Sequence, residues 1–178
     1  RTLLATALVL TPMSAMAQTT PPLTAEQMKY YGTPFQDARF VGFARTANDF
    51  EVQSGNLALS KSTNALTRGA AIRAVQVFTD ASTDLERNRN EAGVTGVPDE
   101  DFKKISDDAM THLNSLSGPD FDHAYGTYQL RLLTAIVAQY GAYSQDMNNS
   151  GPLRRYAQTE FPKMAQALES VTHLKAGK

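Results

Sequence analysis

Few side chains in this sequence are of a type and spacing that could do chemistry. There are three histidines, His112, His123 and His173. Glu169 and His173 stand four apart, a spacing that offers two metal ligands on one helix face and equally an ordinary surface ion pair, which is the expected role. Asp120, Asp122 and His123 cluster near a predicted helix start, where acids serve the helix dipole and a lone histidine makes no site. Tyr125, Tyr128, Tyr140 and Tyr143 fall on one predicted helix. A redox or ligand-stacking role is conceivable for them, but packing with each hydroxyl reaching a polar partner is the expectation. Arg154 and Arg155 read as a solvated face. Gly93-Val94-Thr95-Gly96 lacks the lysine and hydroxyl residue of a phosphate loop and reads as a turn. No nucleophile elbow and no HExxH pair occurs.

Glu51 is the residue that breaks a local rule. It lies between Phe50 and Leu57 on a stripe that is otherwise apolar save for Ser54. A modest helix tilt that puts Glu51 at the edge of the stripe is the expected arrangement. Were it buried, it would have to be paired, protonated, metal-bound or extended to the surface. Without a partner, burial would raise its pKa, and replacement by glutamine or leucine would be neutral or stabilising.

The elements that must position these residues are helical. Phe40, Phe43, Ala44, Ala47, Phe50, Leu57 and Ala58 recur at three- and four-residue steps, predicting a helix from about Asp37 to Lys61. Ser62-Thr63-Asn64 is a turn with cap residues, and Ala70, Ala71, Ala74, Val75, Phe78, Ala81 and Leu85 continue the same period until Gly93 stops it. Asp99, Glu100 and Asp101 suit a helix start. A short helix follows, with Phe102, Ile105, Ala109, Leu113 and Leu116 inward, ending at Gly118. Pro119 opens a long helix to about Met147 that is apolar over a wide arc. Asn148 to Pro152 breaks the pattern, and a last helix presents Leu153, Ala157, Phe161, Met164, Ala167, Leu168, Val171 and Leu174, with Pro162 expected to kink it. No segment alternates with period two. The reading is an all-α, antiparallel four-helix bundle over residues 36–175, with a short extra helix in the middle crossover.

Ahead of it, residues 18–35 contain Pro21, Pro22 and Pro34 and read as a linker or a strap on the domain. Residues 1–17 contain the apolar run LLATALVLTPMSAMA, ending in Ala15-Met16-Ala17. That is the pattern of a secretory signal peptide, though the basic start is reduced to Arg1. Cleavage after Ala17 and a periplasmic or secreted location are expected. The run is too short to span a bilayer, and no later stretch is as apolar.

Composition limits the function classes. Seventeen basic and eighteen acidic residues give a net charge of -1, which argues against a nucleic-acid partner held by bulk charge and against a polybasic membrane tail. The absence of cysteine excludes disulfides, thiolate metal sites, a cysteine nucleophile and a lipoprotein anchor.

The order of motifs resembles a known family. The stretch Phe50-Glu51-Val52-Gln53-Ser54-Gly55-Asn56-Leu57-Ala58-Leu59 is similar to its first-helix motif. Leu116-Ser117-Gly118-Pro119-Asp120-Phe121-Asp122-His123-Ala124-Tyr125 is similar to its LSG-x-x-FD-x-x-Y signature, and Phe161-Pro162 to the LP step of its last helix. The chain thus resembles the domain-of-unknown-function 4142 family. This resemblance implies an exported, ferritin-like bundle without an established activity. It also implies a glutamate in the first long helix and a histidine in each of the next three. Glu51 matches the glutamate, but the histidine positions fall on Phe78, Leu133 and Ala167. No catalytic residue, cofactor or metal site is therefore carried over. A non-enzymatic role in binding an unidentified partner, or in the envelope, is expected. The alternatives are a ferritin-like metal-binding or oxidoreductase protein and a carrier of a small apolar ligand.

Overall fold

The computed structural model describes residues 22–176, so the signal-peptide reading falls outside the described residues. The described chain is all α-helix, with no strand among its residues. The elements are α1 (Ala25–Tyr31), α2 (Asp37–Lys61), α3 (Ala65–Ala92), α4 (Glu100–Ser115), α5 (Gly118–Gln145) and α6 (Gly151–Ala176).

The helix ends follow local chemistry. Asn64 caps α3 by accepting from the backbone N–H groups of Leu66 and Thr67, and Gly93 ends it at φ 66°, a conformation a side chain disfavours. Asp99 caps α4 through the N–H of Phe102. The short helix ends at Ser115 rather than at Gly118; Gly118, at φ 57°, turns the chain sharply into α5, with Pro119 in its first turn. The last helix runs unbroken past Pro162, which cannot donate to the carbonyl of Gln158.

The long helices pack antiparallel. Arg45 pairs with Glu86, and Gly55 faces Val75 and Ala71, which sets α2 against α3. Gly126 faces Leu174, and Gly141 faces Phe161, which sets α5 against α6. α3 also packs along α6. The α2–α5 seam is the least intimate of the four, and α4 lies along it, parallel to α2. Phe102 packs on Phe43, and further along Lys61 Nζ donates to the carbonyls of Leu113, Asn114 and Leu116 at 3.2, 2.6 and 2.8 Å. Lys61 thereby satisfies the open C-terminus of α4.

The segment before α2 is more than a linker. Thr24 and Gln27 form a capping box that starts α1. Tyr31 and Phe35 are buried beside Phe43, and Tyr31 also meets Phe102. The fully buried Gln139 of α5 fixes this strap by its main chain. Its Oε1 accepts from Phe35 N (3.0 Å), and its Nε2 donates to the carbonyls of Tyr31 (3.1 Å) and Thr33 (2.9 Å).

The loop between α3 and α4 touches α2 at Gly42. Val97 N donates to the carbonyl of Ala38 (2.8 Å), and a Cβ on Gly42 would sit 1.9 Å from Val97 O. Gly42→Ala must therefore displace backbone and is expected to lower stability by about 2 kcal/mol in urea melts. A loss below about 0.5 kcal/mol, the range of an ordinary surface change, would mean that the loop is not seated on α2.

Candidate functional site

Glu51 is fully buried, at 0% exposure, and not at the edge of its stripe. Its helical neighbours Ala47, Phe50, Ser54, Gly55 and Ala58 are buried too, so the covered face of α2 is wide enough to include it. Neither carboxylate oxygen has a hydrogen-bond partner. Its neighbours belong to α2 and α5. Gln129, also at 0% exposure, donates from Nε2 to Ser54 Oγ at 3.1 Å, while its Oε1 is unpartnered. The buried Tyr125 hydroxyl is unpartnered as well. Burial pushes the Glu51 pKa up to about 8, opposed in part by the Gln129 amide. Burial, and then the nearby Glu51 carboxylate, push the Tyr125 phenol well above its usual value.

The helix register places the four family positions at one height. Gly55 faces Val75, so Glu51, one turn back on α2, is level with Phe78, nearly one turn on along antiparallel α3. Ser54 meets Gln129, which brings Leu133 of α5 to the Glu51 level. Gly126 faces Leu174, so Leu133 and Ala167 meet two turns further along both helices. Phe78, Leu133 and Ala167 are all buried. Phe78, Leu133 and Ala167 thus put carbon where imidazoles would have to stand, and a single carboxylate with neutral oxygens does not fit the nitrogen-and-carboxylate set of a ferritin-like metal centre. Among the described residues, no group of three or more histidine or acidic side chains is placed to hold a metal ion.

A second polar group lies toward the start of α2. The hydroxyls of Tyr140 and Tyr156 meet at 2.8 Å, and Asn48 Nδ2 donates weakly to Tyr156 at 3.5 Å. Glu160, one turn beyond Tyr156, is buried with Oε1 accepting from Lys163 (2.7 Å) and Oε2 unpartnered. Burial raises its pKa, with Lys163 opposing.

The other sequence candidates disperse. His112 Nδ1 meets the Tyr128 hydroxyl at 3.0 Å on the outer side of α4 and α5. His123 and Asp120 are exposed, while Asp122 accepts from Ser62. Glu169 is exposed, and the His173 side chain lies outside the described residues. Of the four tyrosines on α5, Tyr125 alone adjoins Glu51. Tyr143 donates to Asp37, and Tyr140 and Tyr128 have the partners named above. Arg155 pairs with Glu91 at 2.7 Å, and Arg154 donates to the carbonyls of Met147 and Asn149. The buried Asn48, Gln129, Gln139 and Glu160 were not singled out from sequence. The signal for the two glutamines was their place inside the wide apolar arc of α5.

The model of one family, described as a domain of unknown function (DUF4142), matches residues 18–174. The chain belongs to this family. No curated protein and no solved structure matches it. No helix among the described residues is long and apolar enough to cross a membrane.

Proposed function

We propose that the chain is an exported, periplasmic four-helix bundle of the ferritin-like kind, which acts by binding a partner or in the envelope and not by catalysis. In this reading α2, α3, α5 and α6 are the bundle, α4 is the crossover helix, and residues 1–17 are removed on export. The observation that carries it is the apolar filling of the Glu51 level by Phe78, Leu133 and Ala167. Such a level serves packing and cannot complete a tetrahedral or octahedral shell. The second reading, a ferritin-like metal or redox protein, draws on the unpartnered oxygens of Glu51.

Elemental analysis of protein purified without chelator or affinity metal separates the two. The expected result is no stoichiometric iron, manganese or zinc. Near one equivalent of tightly held metal, lost in Glu51→Ala, would establish the second reading instead. The same native material is expected to begin at Gln18 in N-terminal mass spectrometry, and an intact Leu3–Ala17 segment would refute export by cleavage.

A further inference from the structure

The oxygens around Glu51 include a pair that a proton joins. Four of them have no partner: both carboxylate oxygens of Glu51, Gln129 Oε1 and the Tyr125 hydroxyl. With Glu51 ionised, the donor at hand is the second N–H of Gln129, and Gln129 Oε1 stays unserved. With Glu51 neutral, its O–H supplies the donor that Gln129 Oε1 lacks, while the Tyr125 hydroxyl stays without a partner. Gln129 already reaches Ser54 across the seam. The Glu51 O–H and Gln129 Oε1 then satisfy one another, as buried polar groups require.

The location gives this group a mechanical role. It ties α2 to α5 where those helices pack least intimately, and the register set by Phe102 on Phe43 and by Lys61 at the end of α4 brings the buried Ser106 and Ala109 of α4 over it. No charge is among the causes that set the Glu51 pKa, which burial raises and the Gln129 amide lowers. α3 offers Ala74, Val75 and Phe78, and α6 offers Met164, Ala167 and Val171. On α4, Lys103 and Lys104 are exposed and paired with Asp107 and Asp108. On α6, Lys163 is engaged by Glu160; α5 brings Tyr125 beside Glu51, and Arg131, whose Nε is buried without a partner and whose charge acts on Tyr31.

We propose that Glu51, Gln129 and Ser54 form a proton-held latch across the α2–α5 seam, closed while Glu51 is neutral and released, together with the overlying α4, when its proton leaves. A charge created there is fully buried and gains hydration only if the seam admits water.

Two measurements on the whole protein test this. Infrared difference spectra between pH 6 and pH 9 are expected to contain a carboxylic-acid carbonyl band at pH 6 that disappears at pH 9, and that Glu51→Gln lacks. Hydrogen exchange followed by mass spectrometry, corrected for the intrinsic pH dependence of exchange, is expected to speed up at pH 9 by about tenfold or more in α4 and in α2 around Glu51. Peptides of α3 and α6 away from the seam serve as the internal control. In Glu51→Gln, whose amide can donate to Gln129 Oε1 at any pH, that acceleration is expected to vanish. Absence of the band at pH 6, or equal acceleration in both proteins, would overturn the latch.

Discussion

Glu51→Gln is expected to match wild type in stability near pH 4 and to exceed it by about 2 to 4 kcal/mol at pH 9. The carboxyl titrates near its ordinary value in the unfolded chain and at about 8 in the folded one. Between those values the folded state holds a proton that the unfolded state has lost. Stability therefore falls as pH climbs through that window, at a limiting slope of about 1.4 kcal/mol per pH unit, and the decline levels off above pH 8. Below both values the group contributes no pH dependence. Glutamine keeps the shape and cannot ionise, so its denaturation midpoint lacks this decline. Glu51→Leu is expected to gain as well at pH 9, by less, because it strips Gln129 Oε1 and Tyr125 of a polar neighbour. Urea melts at pH 5, 7 and 9 decide the matter. A glutamine variant less stable than wild type by more than about 1 kcal/mol at pH 9 would mean that the carboxylate is paired or ligating.

Asp99→Ala should be the most damaging of the substitutions named here, costing about 3 to 4 kcal/mol. The residue is 1% exposed and serves three elements at once. Its Oδ1 caps α4 at Phe102 N (2.9 Å), and its Oδ2 accepts from the Tyr30 hydroxyl (3.0 Å) and from Arg39 Nε and Nη2 (2.9 and 2.8 Å). Arg39 in turn covers the rings of Tyr30 and Phe35. Alanine loses a cap, worth about 1 kcal/mol, and the charge-assisted bonds as well. Asp99→Asn keeps the cap oxygen but sets an amide NH2 where Oδ2 accepted from Arg39, so only the cap, about 1 kcal/mol of the loss, is expected to be recovered. Equal losses for the two variants would mean that the cap contributes nothing beyond the ion pair.

The helices of this chain were legible because their apolar residues repeat every three or four positions over long stretches, bounded by Asn64, Gly93 and Gly118. α1 escaped notice because seven residues carry too little period. Its signal was the pair Thr24 and Gln27, a capping box in a stretch that prolines made look unstructured. The burial of Glu51 was hidden by a limit of single-helix reasoning. Period alone fixes which face a residue shares, and the packing of α3, α4 and α5 around that face decides how wide the buried arc becomes. Glu160 did leave a trace in the pattern, since it stands three residues after Ala157 and four before Met164, on the buried stripe of its helix. The apolar arc of α5 marks Gln139 as buried but does not name what it holds. Its partners are main-chain atoms of residues 31, 33 and 35, and main-chain acceptors leave no trace in side-chain patterns.

The buried phenols set the alkaline limit of this protein. Tyr31, Tyr125, Tyr140, Tyr143 and Tyr156 all have their hydroxyls pushed above the usual phenol range, chiefly by burial. They stay protonated in the folded chain at a pH where the unfolded chain has begun to surrender them. Above about pH 10 each such group subtracts up to about 1.4 kcal/mol of stability per pH unit, and the five act together. Base should therefore unfold the molecule over a narrow interval with a burst of tyrosinate absorbance. With no tryptophan in the sequence to overlap it, that ultraviolet signal reports collapse of the core directly.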